Sequence, residues 1–223
     1  MNLFFCLILL VLFSLCFASS NEDVCTNGVC TGQNGFQFTR TFNTANSVLK
    51  LAGTGIRKKN LLIVDVDVYA IGIYLSDKKI KAIQKSIISS SGINKAIGGY
   101  SDDIQVGIVL KFLRAVDTLK IVNAIGDSLQ IKVLDKEYAS ELESFKNHLT
   151  NLVGKSGTKL NDEIEFMFKS KNNDEFGLSV NKSKIQWFKN GKLRFNLIEI
   201  YSDKEKSVSS DLVNSLVSNI KTL

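Results

Sequence analysis

Apolar residues recur along this chain with two different periods, and the switches between them outline its elements. From Phe36, FQFTRTF alternates apolar and polar positions as a half-buried strand does, and VLKLAGTGI follows suit. LLIVDVDVYAIGIYL holds two-residue order too long, with too many β-branched residues, to be a helix, and it predicts a long third strand. In KKIKAIQKSII, from Lys78 to Ile88, Ile80, Ile83 and Ile87 share a helical face while Lys78, Lys81 and Lys85 lie largely off it, which predicts a surface helix.

DIQVGIVLKFLR then reads as a strand. In VDTLKIVNAIGDSLQIKVL, helical spacing of Leu119, Ile121, Val122, Ile125 and Leu129 predicts a helix; EYASELESFKNHLTNLVG predicts another, stopped by Gly154. IEFMFKS, LSVNKSKIQWF and LRFNLIEIYS read as strands, the last two joined by a hairpin turn at Asn190-Gly191. SSDLVNSLVSNI closes the chain as a helix capped by serine or aspartate. This order describes an α+β architecture, an antiparallel sheet covered on one face by helices, in one domain spanning residues 36–223.

Composition agrees with a single folded domain: 223 residues, 44% hydrophobic and 22% charged, can bury a substantial core. The first residues change the picture. Leu3 to Phe17 is an uncharged apolar run that closes on small residues, so residues 1–18 read as a signal peptide cleaved after Ala18, with a retained anchor as the alternative. The run is short for a membrane span, and no other stretch is apolar for that length, so no stable span is expected after cleavage. Residues 19–35 form a short leader carrying Cys25 and Cys30, an even pair that in an oxidising compartment is expected to form a disulfide. The expected address is therefore secreted or in the lumen of the secretory pathway. Asn181-Lys182-Ser183 is a glycosylation sequon consistent with that address.

Net charge of +6 is a modest excess, and the densest lysines, from Lys78 to Lys85, have no aromatic residues interleaved, so nucleic acid is not an expected partner. The single histidine, His148, lies on a predicted helix surface, and no metal site or cofactor is expected. Gly53-Thr54-Gly55 lacks the third glycine and following helix of a phosphate loop.

What remains unexplained is GIRKKNLLIVDVDVYAIGIYL, where Asp65, Asp67 and Tyr69 interrupt an apolar strand at two-residue spacing behind Arg57-Lys58-Lys59. On a regular strand all three share a face, and the aspartates are then solvated, salt-bridged at the surface, or paired with Arg57. The same stretch resembles the chalcone isomerase family, in which G-x-R precedes a polar connection and a strand ending like A-I-G-x-Y. The helix VDTLKIVNAIGDSL after KFLR, and the terminal SSDLVNSLV, resemble later blocks of that family, so the likeness runs from about Phe36 to Leu223. It implies a chalcone-isomerase-like open-faced β-sandwich.

The family holds flavonoid-forming isomerases and fatty-acid-binding proteins, so its residues must choose between them. Arg57 matches the arginine that holds a phenolate oxygen in the isomerases. Tyr69 stands where they have a threonine that helps organise water, Asp117 falls at their helix tyrosine, and their asparagine falls at Ala124, or at Asn123 with a one-residue slip. No tyrosine occurs between Tyr100 and Tyr138, which removes a group of the kind that supplies about 10² to 10⁴ in rate. The resemblance therefore implies non-catalytic binding of a fatty acid or similar apolar anion, with Arg57, Tyr69 and Asn123 as ligand-binding residues and a small apolar carboxylate as partner. The alternative is an isomerase, an intramolecular lyase, acting on a substrate unlike chalcone.

Overall fold

The computed structural model describes residues 24–26, 28–32, 35–44, 47–61, 64–85, 101–130, 136–170, 175–203 and 205–223. The expected signal peptide, residues 1–18, and Ile87 of the basic helix lie outside them. Ten strands are described: β1 Val24–Thr26, β2 Val29–Thr31, β3 Gln37–Thr39, β4 Thr41–Asn43, β5 Val48–Leu61, β6 Val64–Leu75, β7 Ser101–Phe112, β8 Glu163–Ser170, β9 Glu175–Val180 and β10 Gln186–Lys189. The helices are α1 Asp77–Lys85, α2 Thr118–Leu129, α3 Lys136–Val153, α4 Gly191–Ser202 and α5 Ser210–Thr222. Strands β4 to β10 form a 7-stranded antiparallel sheet in the order β10-β9-β8-β7-β6-β5-β4, and β1-β2-β3 form a separate 3-stranded sheet. The expected fold is the one observed.

Side chains alternate across the large sheet as a pleated strand requires. Tyr69, Ile71, Ile73 and Leu75 of β6 join Ile108, Leu110 and Phe112 of β7 and Ile164, Phe166 and Phe168 of β8 in the core beneath the helices. The intervening Ala70, Tyr74, Val109 and Met167 face the other way, where Cys30 and Phe38 of the small sheet cover them. Arg40 separates β3 from β4, so FQFTRTF serves two sheets. The expected Cys25–Cys30 disulfide is present, between residues that face each other across β1 and β2.

Glycines set how closely α5 lies on the sheet. A β-carbon at Gly53 would come within 2.8 Å of the Leu216 backbone, and one at Gly55 within 2.5 Å of Leu212. The Thr54 amide between them donates to the Ser215 hydroxyl at 2.9 Å. The Gly53-Thr54-Gly55 triplet is thus a close-packing surface for a helix, not a ligand loop.

Several expected elements need correction. LLIVDVDVYAIGIYL is not one strand: β5 continues through the basic Arg57-Lys58-Lys59 to Leu61, which pairs with Val64 of β6. LSVNKSKIQWF is two strands, parted by a turn with positive φ at Asn181 (51°) and Lys182 (58°). LRFNLIEIYS is helix α4, and Asn190-Gly191 is its beginning rather than a hairpin turn. The Asn190 side chain caps it by accepting from the Leu193 amide at 2.7 Å. Burial explains the misreading: Leu193, Arg194 and every residue from Asn196 to Ser202 are buried, so the helix lacks the polar face that would announce its period. Two of its buried polar side chains, Asn196 and Arg194, are satisfied internally. The Asn196 amide donates to the Tyr138 hydroxyl at 3.0 Å, which donates to the Leu129 carbonyl at 2.6 Å, and Arg194 Nε donates to the Lys169 carbonyl at 3.1 Å.

Candidate functional site

The site is built around an irregularity in the β5–β6 pair. Arg57 faces Tyr69, but the next pair is Lys58 with Asp67, so Val68 is an extra residue on β6. Its carbonyl accepts from the Leu113 amide at 3.1 Å, tying the bulge to the end of β7. A bulge resets side-chain alternation. Before it, Val66 and Val68 point to the helix side and Asp65 and Asp67 away; after it, Tyr69 takes the helix side. The three polar residues therefore do not share a face. Asp65 is exposed and accepts from the Asn60 side chain at 3.0 Å.

Between these strands and α2 opens a cleft of about 580 Å³. Val66, Val68, Ala115, Val116 and Ala124 give it apolar walls, and Arg57 and Tyr69 form part of its lining. Lys59, Arg114 and Lys120 border it together with Asp117 and Asp127, so basic groups outnumber acidic ones, and Arg57 widens the excess. The volume lies inside the range of about 300 to 1,000 Å³ typical of small-molecule sites.

Arg57 is half-buried and Tyr69 is only 5% exposed. Directly opposed on adjacent strands, they project into one space. Burial pushes the Tyr69 phenol above its ordinary value, opposed by the Arg57 charge and the neighbouring Tyr201 hydroxyl. Burial, chiefly, also raises the Tyr201 phenol, with Tyr69 adding to the effect. Both phenols are therefore protonated donors at neutral pH, beside a guanidinium that is always charged.

A family model for chalcone isomerase-like proteins matches residues 31–216. The chain belongs to the chalcone isomerase-like family. No curated protein matches it in sequence. Among solved structures it is similar to a fatty-acid binding protein of Arabidopsis thaliana, with a TM-score of 0.68 and 18% identity over 90% of this chain and 98% of that one. That likeness is one of fold.

Placed in this family's fold, Arg57 and Tyr69 meet in the cleft, whereas Asn123 does not join them: it is exposed on α2, and Ala124 lines the cleft instead. Lys120, Ala124, Asp127 and Ser128 mark the helix face turned to the cleft, and Asn123 falls outside it. Asp117, at the isomerase tyrosine position, caps α2 by accepting from the Leu119 amide at 2.9 Å. Tyr138 is turned away, its hydroxyl engaged with Leu129. Sequence reasoning missed Tyr201, because α4 read as a strand, and it missed Arg114 as a rim cation.

Other candidates are placed as follows. His148 is exposed on α3, its Nδ1 at 2.7 Å from the Ser144 carbonyl and its ring edge-on to Phe188. Among the described residues no cluster of three His, Cys, Asp or Glu side chains could hold a metal ion, and no helix is long and apolar enough to cross a membrane. Asn181 is exposed at its turn, where its side chain accepts from the Glu163 amide at 2.7 Å and donates to Asp162 at 3.0 Å.

Proposed function

We propose that this protein binds a fatty acid or a similar apolar carboxylate, without catalysis, in the cleft between the β5–β6 hairpin and α2. The observation that carries this reading is the cross-strand pair of Arg57 and Tyr69 at an apolar-walled cleft. A guanidinium offers a planar fork of donors that matches two carboxylate oxygens, and the neutral phenol adds a third donor without adding charge. Val66, Val68 and Val116 supply a wall for the tail. The similarity in fold to a fatty-acid binding protein supports the reading weakly, at 18% identity. Flavonoid ring closure is disfavoured: the aspartate at the phenol's position is held at a helix cap.

Calorimetric titration with dodecanoate and with dodecan-1-ol tests the function. Wild type is expected to prefer the carboxylate. Arg57→Lys keeps the charge but loses the fork, and should bind dodecanoate roughly ten- to a hundredfold more weakly while leaving the alcohol nearly unaffected. Equal affinity of wild type for both ligands would sink the proposal. Turnover of a chalcone above a protein-free control, lost in Arg57→Ala, would instead favour the isomerase alternative.

A secretory address is part of the same proposal. The Cys25–Cys30 disulfide is at home in an oxidising compartment, and the exposed Asn181 sequon is accessible to glycosylation. Intact mass of the protein recovered from an expressing cell's medium should place the first residue at or within two residues of Ser19. Recovery of the full-length chain in the membrane fraction would overturn it.

A further inference from the structure

Among the described residues one buried side-chain polar atom makes no well-formed hydrogen bond: the hydroxyl oxygen of Tyr201. Its ring is 0% exposed in the last turn of α4, with the Phe166 ring centroid 6.5 Å away. A phenol buried this way has given up water with little to replace it, an arrangement folded proteins seldom keep. The rest of α4 shows the contrast, since Asn196 and Arg194 are both bonded.

The neighbours of Tyr201 give this hydroxyl a use. Tyr69 and Arg57 act on it electrostatically, Tyr69 also through a weak hydroxyl–hydroxyl approach, and both line the cleft, whereas Tyr201 does not. Tyr69 and Tyr201 lie in the same buried cluster. From the cleft inward the order is therefore Arg57 and Tyr69, then Tyr201. A phenol oxygen has one proton to give and lone pairs with which to accept. When Tyr69 gives its proton to an anion, its oxygen becomes a better acceptor, because hydrogen bonds in a chain polarise one another.

We propose that Tyr201 is a positioning residue of the head-group site, its hydroxyl donating to the Tyr69 oxygen when Tyr69 donates to an anionic ligand, so that the two phenols act as one donor chain beside Arg57. The inference rests on the carboxylate reading of the cleft. Tyr201 touches no ligand; it fixes the direction of the Tyr69 proton. A carboxylate in the cleft, by polarising the Tyr69 hydroxyl, strengthens the bond that Tyr201 donates to it.

A double-mutant cycle separates this from a packing role. Wild type, Tyr69→Phe, Tyr201→Phe and the double variant are titrated with dodecanoate and with dodecan-1-ol. Tyr201→Phe should weaken dodecanoate about three- to tenfold and leave dodecan-1-ol unchanged, and its ligand-free melting temperature should stay close to wild type's, since no well-formed hydrogen bond is lost. In the Tyr69→Phe background the same substitution should change dodecanoate affinity by less than about twofold. An unchanged carboxylate affinity, or a loss of equal size in both backgrounds, overturns the proposal. On unmutated protein, the Tyr201 hydroxyl proton should move downfield in NMR spectra as dodecanoate is added; no movement at saturation overturns it without any variant. If wild type does not prefer dodecanoate to the alcohol, the proposed function fails and this inference with it, whereas preference retained with a silent Tyr201 sinks this inference alone.

Discussion

Inserting Val68 between the Arg57–Tyr69 and Lys58–Asp67 pairs brings Tyr69 to the side of the sheet on which Val66 and Val68 line the cleft. Without that one residue, two-residue alternation would have set Tyr69 on the face of Asp65 and Asp67. Single residues also decide packing. Gly55→Ala would drive a methyl group to 2.5 Å from Leu212, so α5 must shift or the strand must bend. Denaturant unfolding should show a loss of about 1 to 3 kcal/mol, the usual cost of overpacking. Glu165 offers a pH-dependent counterpart on the far face. Burial raises its carboxyl above the ordinary value of 4.5; a Ser179 hydrogen bond and Lys182 oppose this, and Glu163 reinforces it. Because the folded protein holds this proton more tightly than the unfolded chain, the stability it contributes is full below the ordinary glutamate range. It is lost as pH rises through the raised folded value. Glu165→Gln stays neutral, so its stability relative to wild type should grow as pH rises from 4.5, as measured by urea unfolding across a pH series. A difference that shrinks with rising pH would contradict that placement.

At the scale of elements, what decided legibility was whether an element keeps a wet face. Helices α2 and α3 bury one stripe each, Ile121, Val122, Ile125 and Leu129 on the first and Tyr138, Leu142, Phe145 and Leu149 on the second, and both were readable from their spacing. The final helix was equally plain, with Ser209 as its cap. Helix α4 was not, because burial around most of its surface leaves L-R-F-N-L alternating as a strand would. Its cap tests the assignment: Asn190→Ala removes the acceptor for the Leu193 amide and should cost about 0.5 to 2 kcal/mol with some loss of helical circular dichroism. A hairpin at Asn190-Gly191 would predict no helical loss. Long strands were legible as strands but not in their limits, since β5 ends and β6 begins within an unbroken apolar run, Leu61 to Val64, where no glycine or polar residue marks a turn.

On the scale of the molecule, the large sheet is covered on both sides, by helices on one and in part by the small β1-β2-β3 sheet on the other. Phe38 of the small sheet reaches Gly72, where a β-carbon would meet its ring at 2.9 Å, and Tyr74 donates to the Thr39 carbonyl at 3.0 Å. The disulfide closes a loop of sequence separation 5, which limits its stabilisation to about 2 kcal/mol by loop entropy. Replacing both Cys25 and Cys30 with serine should lower unfolding free energy by no more than that and leave dodecanoate binding intact, because the cleft lies on the opposite side of the sheet. Loss of ligand binding with the fold retained would show that the small sheet supports the site. The sequence by itself determined the α+β class, the antiparallel strands, the amphipathic helices and the candidate disulfide, because period, cap and composition are local properties, and its resemblance to the chalcone isomerase family singled out Arg57 and Tyr69. Only the tertiary structure decided that a bulge turns Tyr69 away from the aspartates, that Ala124 and not Asn123 enters the cleft, and that Tyr201 stands behind Tyr69. Each of those depends on cross-strand register or on helix docking, and both are set by contacts between residues far apart in the chain.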